Sequence, residues 1–230
     1  MKRAEVPAAS SAEDTAEAFA RKDPYWPAQL TVLATIALDL DLPNKLTLHP
    51  AWLLPALEGL LLVGLVVTTP RGGAVPPPSR RRFALGLVGI VSAANLLSLV
   101  LLVHYMMHTA TAIDGRALIF AGVEIWITNI LLFAVWYWEL DRGGPQARKG
   151  TKPPPPDFLF PQMTEDRLGR WDWRAGFVDY LYVSFTNVSA FSPTDTMPLS
   201  HLAKMLFLVQ SVMSIVTIGL VVARAVNILG

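Results

Sequence analysis

Apolar residues in this chain fall into long blocks separated by short polar, glycine- or proline-rich breaks. Block length, more than any periodicity, carries the first message. Residues 51–69, 83–106, 117–138 and 202–229 are each nearly continuous in Leu, Ile, Val, Ala and Phe. A hydrocarbon core of ~30 Å takes about 20 such residues in a helix. Lipid offers no hydrogen-bond partners to an open strand edge, so the blocks are predicted to be helices. The pattern therefore predicts an all-α integral membrane protein with four clear transmembrane helices. A fifth, shorter block, residues 28–42, follows Tyr25-Trp26-Pro27 and runs into Asp39 and Asp41. Its aromatic entry suits a membrane interface, and Pro27 suits a first helical turn. That block either crosses a thinned bilayer or lies in the interface.

The breaks define four regions. Residues 1–27 are a polar or interfacial segment, 28–140 hold the early helices, 141–176 form a proline-rich polar loop, and 177–230 form a C-terminal module. The loop contains Pro153-Pro154-Pro155-Pro156, a stiff polyproline spacer. Two apolar groups follow it, Phe158-Leu159-Phe160-Pro161 and Trp171-Asp172-Trp173, and these are expected to dock on the protein or the interface. The loop is too short to bury a core of its own.

Composition narrows the classes. The chain of 230 residues is 53% hydrophobic and only 16% charged, with a mean hydropathy of +0.42. With no cysteine, it offers no disulfide, thiolate metal site or thiol nucleophile. A net charge of +1 and the lack of a basic patch interleaved with aromatics give no sign of nucleic-acid binding. Residues 1–23 lack an apolar core, so no cleaved signal is expected there. No nucleophile–base pair, metal motif or phosphate loop is visible, so neither an enzyme nor a cofactor is expected.

The C-terminal module carries the most specific pattern. Residues 179–198 read D-Y-L-Y-V-S-F-T-N-V-S-A-F-S-P-T-D-T-M-P and lead into the last apolar block. This segment resembles the pore helix and inner helix of the potassium-channel superfamily. Leu181, Tyr182, Ser184 and Phe185 fall on the pore-helix pattern; Asp195 and Pro198 fall on the acidic residue and proline after the filter. The filter itself differs, because Ser192, Pro193 and Thr194 stand where the family has glycine, tyrosine and glycine. A potassium filter turns backbone carbonyls towards its axis. Proline at 193 fixes φ and removes an N–H, and Ser192 before it is held extended. The resemblance thus implies a re-entrant pore-type helix in a symmetric oligomer, a tetramer by analogy, without a potassium-selective filter. It also implies Thr186, Asn187, Ser189, Ser192, Thr194 and Asp195 as residues lining an ion path. Asp195 and Thr196 serve equally as caps for the final helix.

Two carboxylates lie inside apolar blocks, Glu58 and Glu124. An ionised carboxylate costs ~2.5–3.5 kcal/mol at membrane depth on insertion scales, so such groups face a bundle interior or a hydrated cavity. Burial without a partner favours the neutral form. One reading makes the pair part of an ion or proton path. The other makes each a hydrogen-bonded packing element, with Ser92, Asn95, Ser98, Thr128 and Asn129 as available partners. His104 and His108 share a helix face, but lack a nearby third ligand and read as an interfacial pair rather than a metal site.

Charge predicts sidedness. Arg71 and Arg80-Arg81-Arg82 flank two helices on the same side as the cationic loop after residue 141, which the positive-inside rule places in the cytoplasm. Two routes remain for residues 177–192: a pore loop entered from the cytoplasm, or a thin crossing helix. The expectation is a channel-like oligomer in a plasma or inner membrane, conducting a cation or proton. The alternative is a non-conducting scaffold or sensor subunit whose partner surface is the proline-rich loop with its aromatic groups.

Overall fold

The computed structural model describes residues 25–43, 46, 50, 52–67, 78–108, 115–148, 152–164, 173–190 and 195–229. The helices are α1 (Trp26–Asp41), α2 (Leu53–Val67), α3 (Pro78–His108), α4 (Gly115–Leu140), a single turn α5 (Pro145–Arg148), α6 (Phe177–Ala190) and α7 (His201–Leu229). Two short strands, β1 (Phe158–Leu159) and β2 (Met197–Pro198), pair antiparallel, Phe158 opposite Pro198.

Among the described residues, three helices are long and apolar enough to cross a membrane: residues 80–107, 115–143 and 201–226. The fourth predicted span is shorter than its apolar block suggests. Helix α2 has 15 residues, about 22 Å at 1.5 Å per residue, and residues 68–69 of the block lie outside the described residues. The weak N-terminal block does form a helix of 16 residues, with Pro27 in its first turn. Thr31 and Thr35 spend their hydroxyls on the carbonyls of Pro27 (2.9 Å) and Val32 (2.8 Å).

Helix α4 is the central element and packs against α1, α3, α6 and α7. Its contacts fix the directions of its neighbours. Tyr25 meets Trp138 edge to face at one end of α1, and Asp41 faces Glu124 at the other, so α1 runs antiparallel to α4. Helix α3 also runs antiparallel to α4, with Arg80 on Glu139 and Leu102 beside Gly122. Helix α7 does the same, from Phe207 against Tyr137 to Val221 at Gly122. A Cβ on Gly122 would lie 2.5 Å from Val221, so the missing side chain is what lets α4 and α7 approach there.

Arg80, Arg81 and Arg148 gather at one end of the bundle. Arg80 forms a buried ion pair with Glu139 (3.0 Å) and lies over the Tyr25 ring. Arg81 donates to the carbonyls of Glu139 (3.1 Å) and Leu140 (3.3 Å), the orphan acceptors at the end of α4. Arg148 donates to Trp138 O and Asp141 O and stacks on Tyr180. The chain turns sharply after α4 through three residues of positive φ, Arg142, Gly143 and Gly144. Left-handed backbone costs a non-glycine residue about 1 kcal/mol; Asp157 offsets this at Arg142 by accepting its N–H at 3.0 Å.

The aromatic groups of the proline-rich loop face inward. Phe158 is fully buried among Tyr137, Tyr180 and Phe207, and Phe160 packs on Tyr180 and Trp173. Asp141 anchors the loop, accepting from Asp157 N–H (2.8 Å) and Tyr180 O–H (2.6 Å). Docking is thus on the protein itself, and Phe158 and Phe160 are not a surface for a partner. Trp171 lies outside the described residues.

Candidate functional site: two polar layers in an apolar bundle

Helix α6 enters the bundle at the arginine end, where Tyr180 meets Asp141, and advances to the level of Trp126, where the Phe185 ring lies. It runs parallel to α7: Ser184 contacts Gln210 and Val188 contacts Ser214. By Met197 the chain is back at the arginine end, paired with β1, and Leu199 N–H donates to Asp157 O at 2.8 Å. Helices α6 and α7 therefore start at the same end of the bundle. Residues 191–194, and with them Ser192, Pro193 and Thr194, lie outside the described residues.

Between α4, α6 and α7 runs a dense hydrogen-bond seam centred on Gln210, which is fully buried. Its side-chain carbonyl accepts from Tyr137 O–H (2.5 Å) and Asn187 Nδ2 (2.8 Å). Its amide donates to Ser184 Oγ (2.6 Å), which donates to Ile130 O (2.7 Å). Ser211 donates to Asn187 Oδ1 (3.1 Å), and Trp126 Nε1 donates to Ser214 Oγ (2.8 Å), which donates to Val188 O. The small polar face of α7 is consumed within the chain itself.

The residues named for an ion path thus separate. Asn187 is buried in the seam. Thr186 and Ser189 lie on the outer side of α6 and return their hydroxyls to backbone carbonyls of their own helix. Asp195 is exposed near β2. The final helix is capped by neither Asp195 nor Thr196 but by Ser200, whose Oγ accepts from Ala203 N–H at 3.2 Å. The exposed residues of α6 around Thr186 and Ser189 are Val178, Tyr182 and Phe185.

Glu58 and Glu124 belong to a second layer, on the other flank of α4. Glu58 is fully buried (0% exposed) and faces Asp39 and Thr35 of α1. Glu124 is half-buried and faces Asp41, with Asp39 also within its electrostatic reach. These four carboxylates grade in burial from exposed Asp41 through Glu124 to Asp39 (7%) and Glu58. Neither oxygen of Glu58 has a hydrogen-bond partner, nor has Oδ2 of Asp39 or Oε2 of Glu124. The partners expected from sequence are otherwise engaged or lie elsewhere: Ser92 accepts from Trp136, and Asn129 donates to Gln210 O.

Asp39 and Asp41 were visible in sequence only as the end of a weak apolar block. A clue was their spacing: Thr35 and Asp39 lie one helical turn apart on a common face. Among the described residues, no group of three or more His, Asp or Glu side chains is arranged to hold a metal ion. No family model, curated protein or solved structure matches this chain.

Proposed function

We propose that this is a channel-like integral membrane protein that passes a small cation, the proton foremost, along a route that includes Glu58 and Glu124. The observation carrying this reading is Glu58: a carboxylate with no exposed surface, both oxygens unpartnered, in an otherwise apolar helix. Ionisable groups at membrane depth are costly, face the bundle interior or a hydrated cavity, and are a recurring feature of ion and proton routes. The common starting end of α6 and α7 supports a re-entrant helix; the positive-inside rule puts its entry on the arginine-bearing, cytoplasmic side, inverted relative to potassium channels, whose pore loop enters from outside. By the same analogy, four copies assemble around the C-terminal module. With Pro193 in place of a filter glycine, no strong preference for potassium over sodium is expected.

The test is flux. Proteoliposomes carrying an internal pH dye and a potassium diffusion potential should acidify or alkalinise faster than protein-free vesicles, and Glu58→Gln should remove the excess rate. Reversal potentials in asymmetric potassium and sodium should shift little. Wild-type vesicles indistinguishable from empty ones would end the conducting reading. The second reading, a non-conducting membrane scaffold, is favoured by one observation: the polar groups Ser184 and Asn187 are satisfied within the protomer, leaving an outer α6 face dominated by Val178, Tyr182 and Phe185.

A further inference from the structure

A buried carboxylate normally receives hydrogen bonds or an opposite charge. Glu58 receives neither, although Arg80 lies at the far end of the adjacent α3 and is engaged by Glu139. The groups facing Glu58 are Asp39 and Thr35 from α1. Thr35 directs its hydroxyl to Val32 O (2.8 Å), so its proton is committed to the backbone. Asp39 is a second acceptor. Two ionised carboxylates facing each other have no donor between them, whereas one proton turns the pair into an O–H···O⁻ contact.

We infer that Glu58 and Asp39 hold one exchangeable proton between them, and that it is reached from the Asp41–Glu124 end of the bundle, opposite Arg80, Arg81 and Arg148. The burial gradient supports the direction of entry. Asp41 is exposed at the last residue of α1, Glu124 is half-buried beside it, and Asp39 links that rim to Glu58. Towards the other end lie buried apolar side chains, Leu61 and Leu65 of α2 and Ala84 and Leu87 of α3. On the remaining helices, the buried polar residues in the middle of α3 are neutral Asn95 and Ser98 and those in the middle of α4 are neutral Thr128 and Asn129, with half-buried Glu124 nearer its start. Arg116 of α4 and Arg224 of α7 lie on the helices at the Asp41–Glu124 end, but among the described residues the side chains that act on Glu58 and Asp39 include no cation. With Arg80, Arg81 and Arg148 on the cytoplasmic side, the ladder opens outward. This inference deepens the proposed cation path and rests on it only for the proton's onward movement.

Infrared spectroscopy of the reconstituted full-length protein reads the proton directly, through the C=O stretch of a protonated carboxylic acid. A single shared proton predicts that Glu58→Gln and Asp39→Asn each remove the same band, since either amide supplies a fixed donor to the remaining carboxylate. A wild-type spectrum without such a band at neutral pH would overturn the inference, as would a band untouched by both variants. Entry is tested separately with single cysteines in this cysteine-free chain. A membrane-impermeant maleimide added outside intact cells should label Asp41→Cys and not Lys152→Cys; the reverse pattern refutes outward access. If the band behaves as expected but vesicles show no flux, the proton pair stands and only the transport reading falls.

Discussion

The two flanks of α4 treat polar side chains in opposite ways. Towards α6 and α7, Gln210 uses both its acceptor and its donor on neighbouring side chains, and Tyr137, Ser184 and Asn187 close around it. Towards α1 and α2, Glu58, Asp39 and Glu124 keep unpartnered oxygens at comparable depth. Both layers contain short polar side chains inside apolar helices, so composition does not separate them. Complementarity does: the seam pairs donors with acceptors, whereas the ladder sets acceptors against acceptors. A satisfied buried network makes an assembly rigid and specific. An unsatisfied one retains capacity for a proton or cation.

The largest expected effect comes from Gln210→Leu. It leaves Tyr137, Asn187 and Ser184 without their shared partner, at ~1 kcal/mol each, the lower end of the range for orphaned buried groups, because membrane hydrogen bonds are modest. A loss of about 3 kcal/mol is expected in reversible detergent unfolding. A loss near zero would mean that the seam is no tighter than the ladder, and the contrast would fail.

Glu58→Leu sharpens the contrast by its size. It replaces a polar group with apolar surface in an apolar helix, but removes the partner that shares a proton with buried Asp39. The two effects oppose each other, so stability should change by no more than about 1 kcal/mol, while any proton flux disappears. A loss as large as that of Gln210→Leu in the same unfolding assay would place Glu58 with the seam residues.

Trp126→Phe keeps the ring beside Phe185 but deletes the donor to Ser214. One hydrogen bond at the edge of the seam should cost about 1 kcal/mol, and the double variant should cost little more than Ser214→Ala alone, which also loses the bond to Val188 O. Full additivity of the two losses would show that they do not act through one bond.

The smallest effects belong to Thr186→Ala and Ser189→Ala. Hydroxyls that return to their own helix add little to stability, so each change should stay within ~0.5 kcal/mol. Their effect on conductance is the informative part. An altered conductance with unchanged stability would return these two positions to an ion path along α6 and weaken the claim that the ladder carries the ion.

Sequence alone determined that the chain is helical and membrane-like, because apolar runs such as 83–106 and 202–229 can be satisfied in lipid only by intrahelical hydrogen bonds. It also located the short α1 and the helical start of the C-terminal module, through Pro27 and the pattern from Leu181 to Phe185. The shared end of the arginines was legible too, since loop parity places residues 71–82 and the loop after 141 together. Tertiary structure alone decided which polar residues meet. Gln210 lies far along the chain from Tyr137 and close to Asn187 only because α6 and α7 run parallel, a direction that no local pattern encodes. Asp39 becomes the neighbour of Glu58 only because α1 and α2 pack side by side. Hydrogen bonding depends on distances of about 3 Å between such remote residues. A one-dimensional pattern therefore shows that polar groups are buried, and only the packed bundle shows whether they are answered.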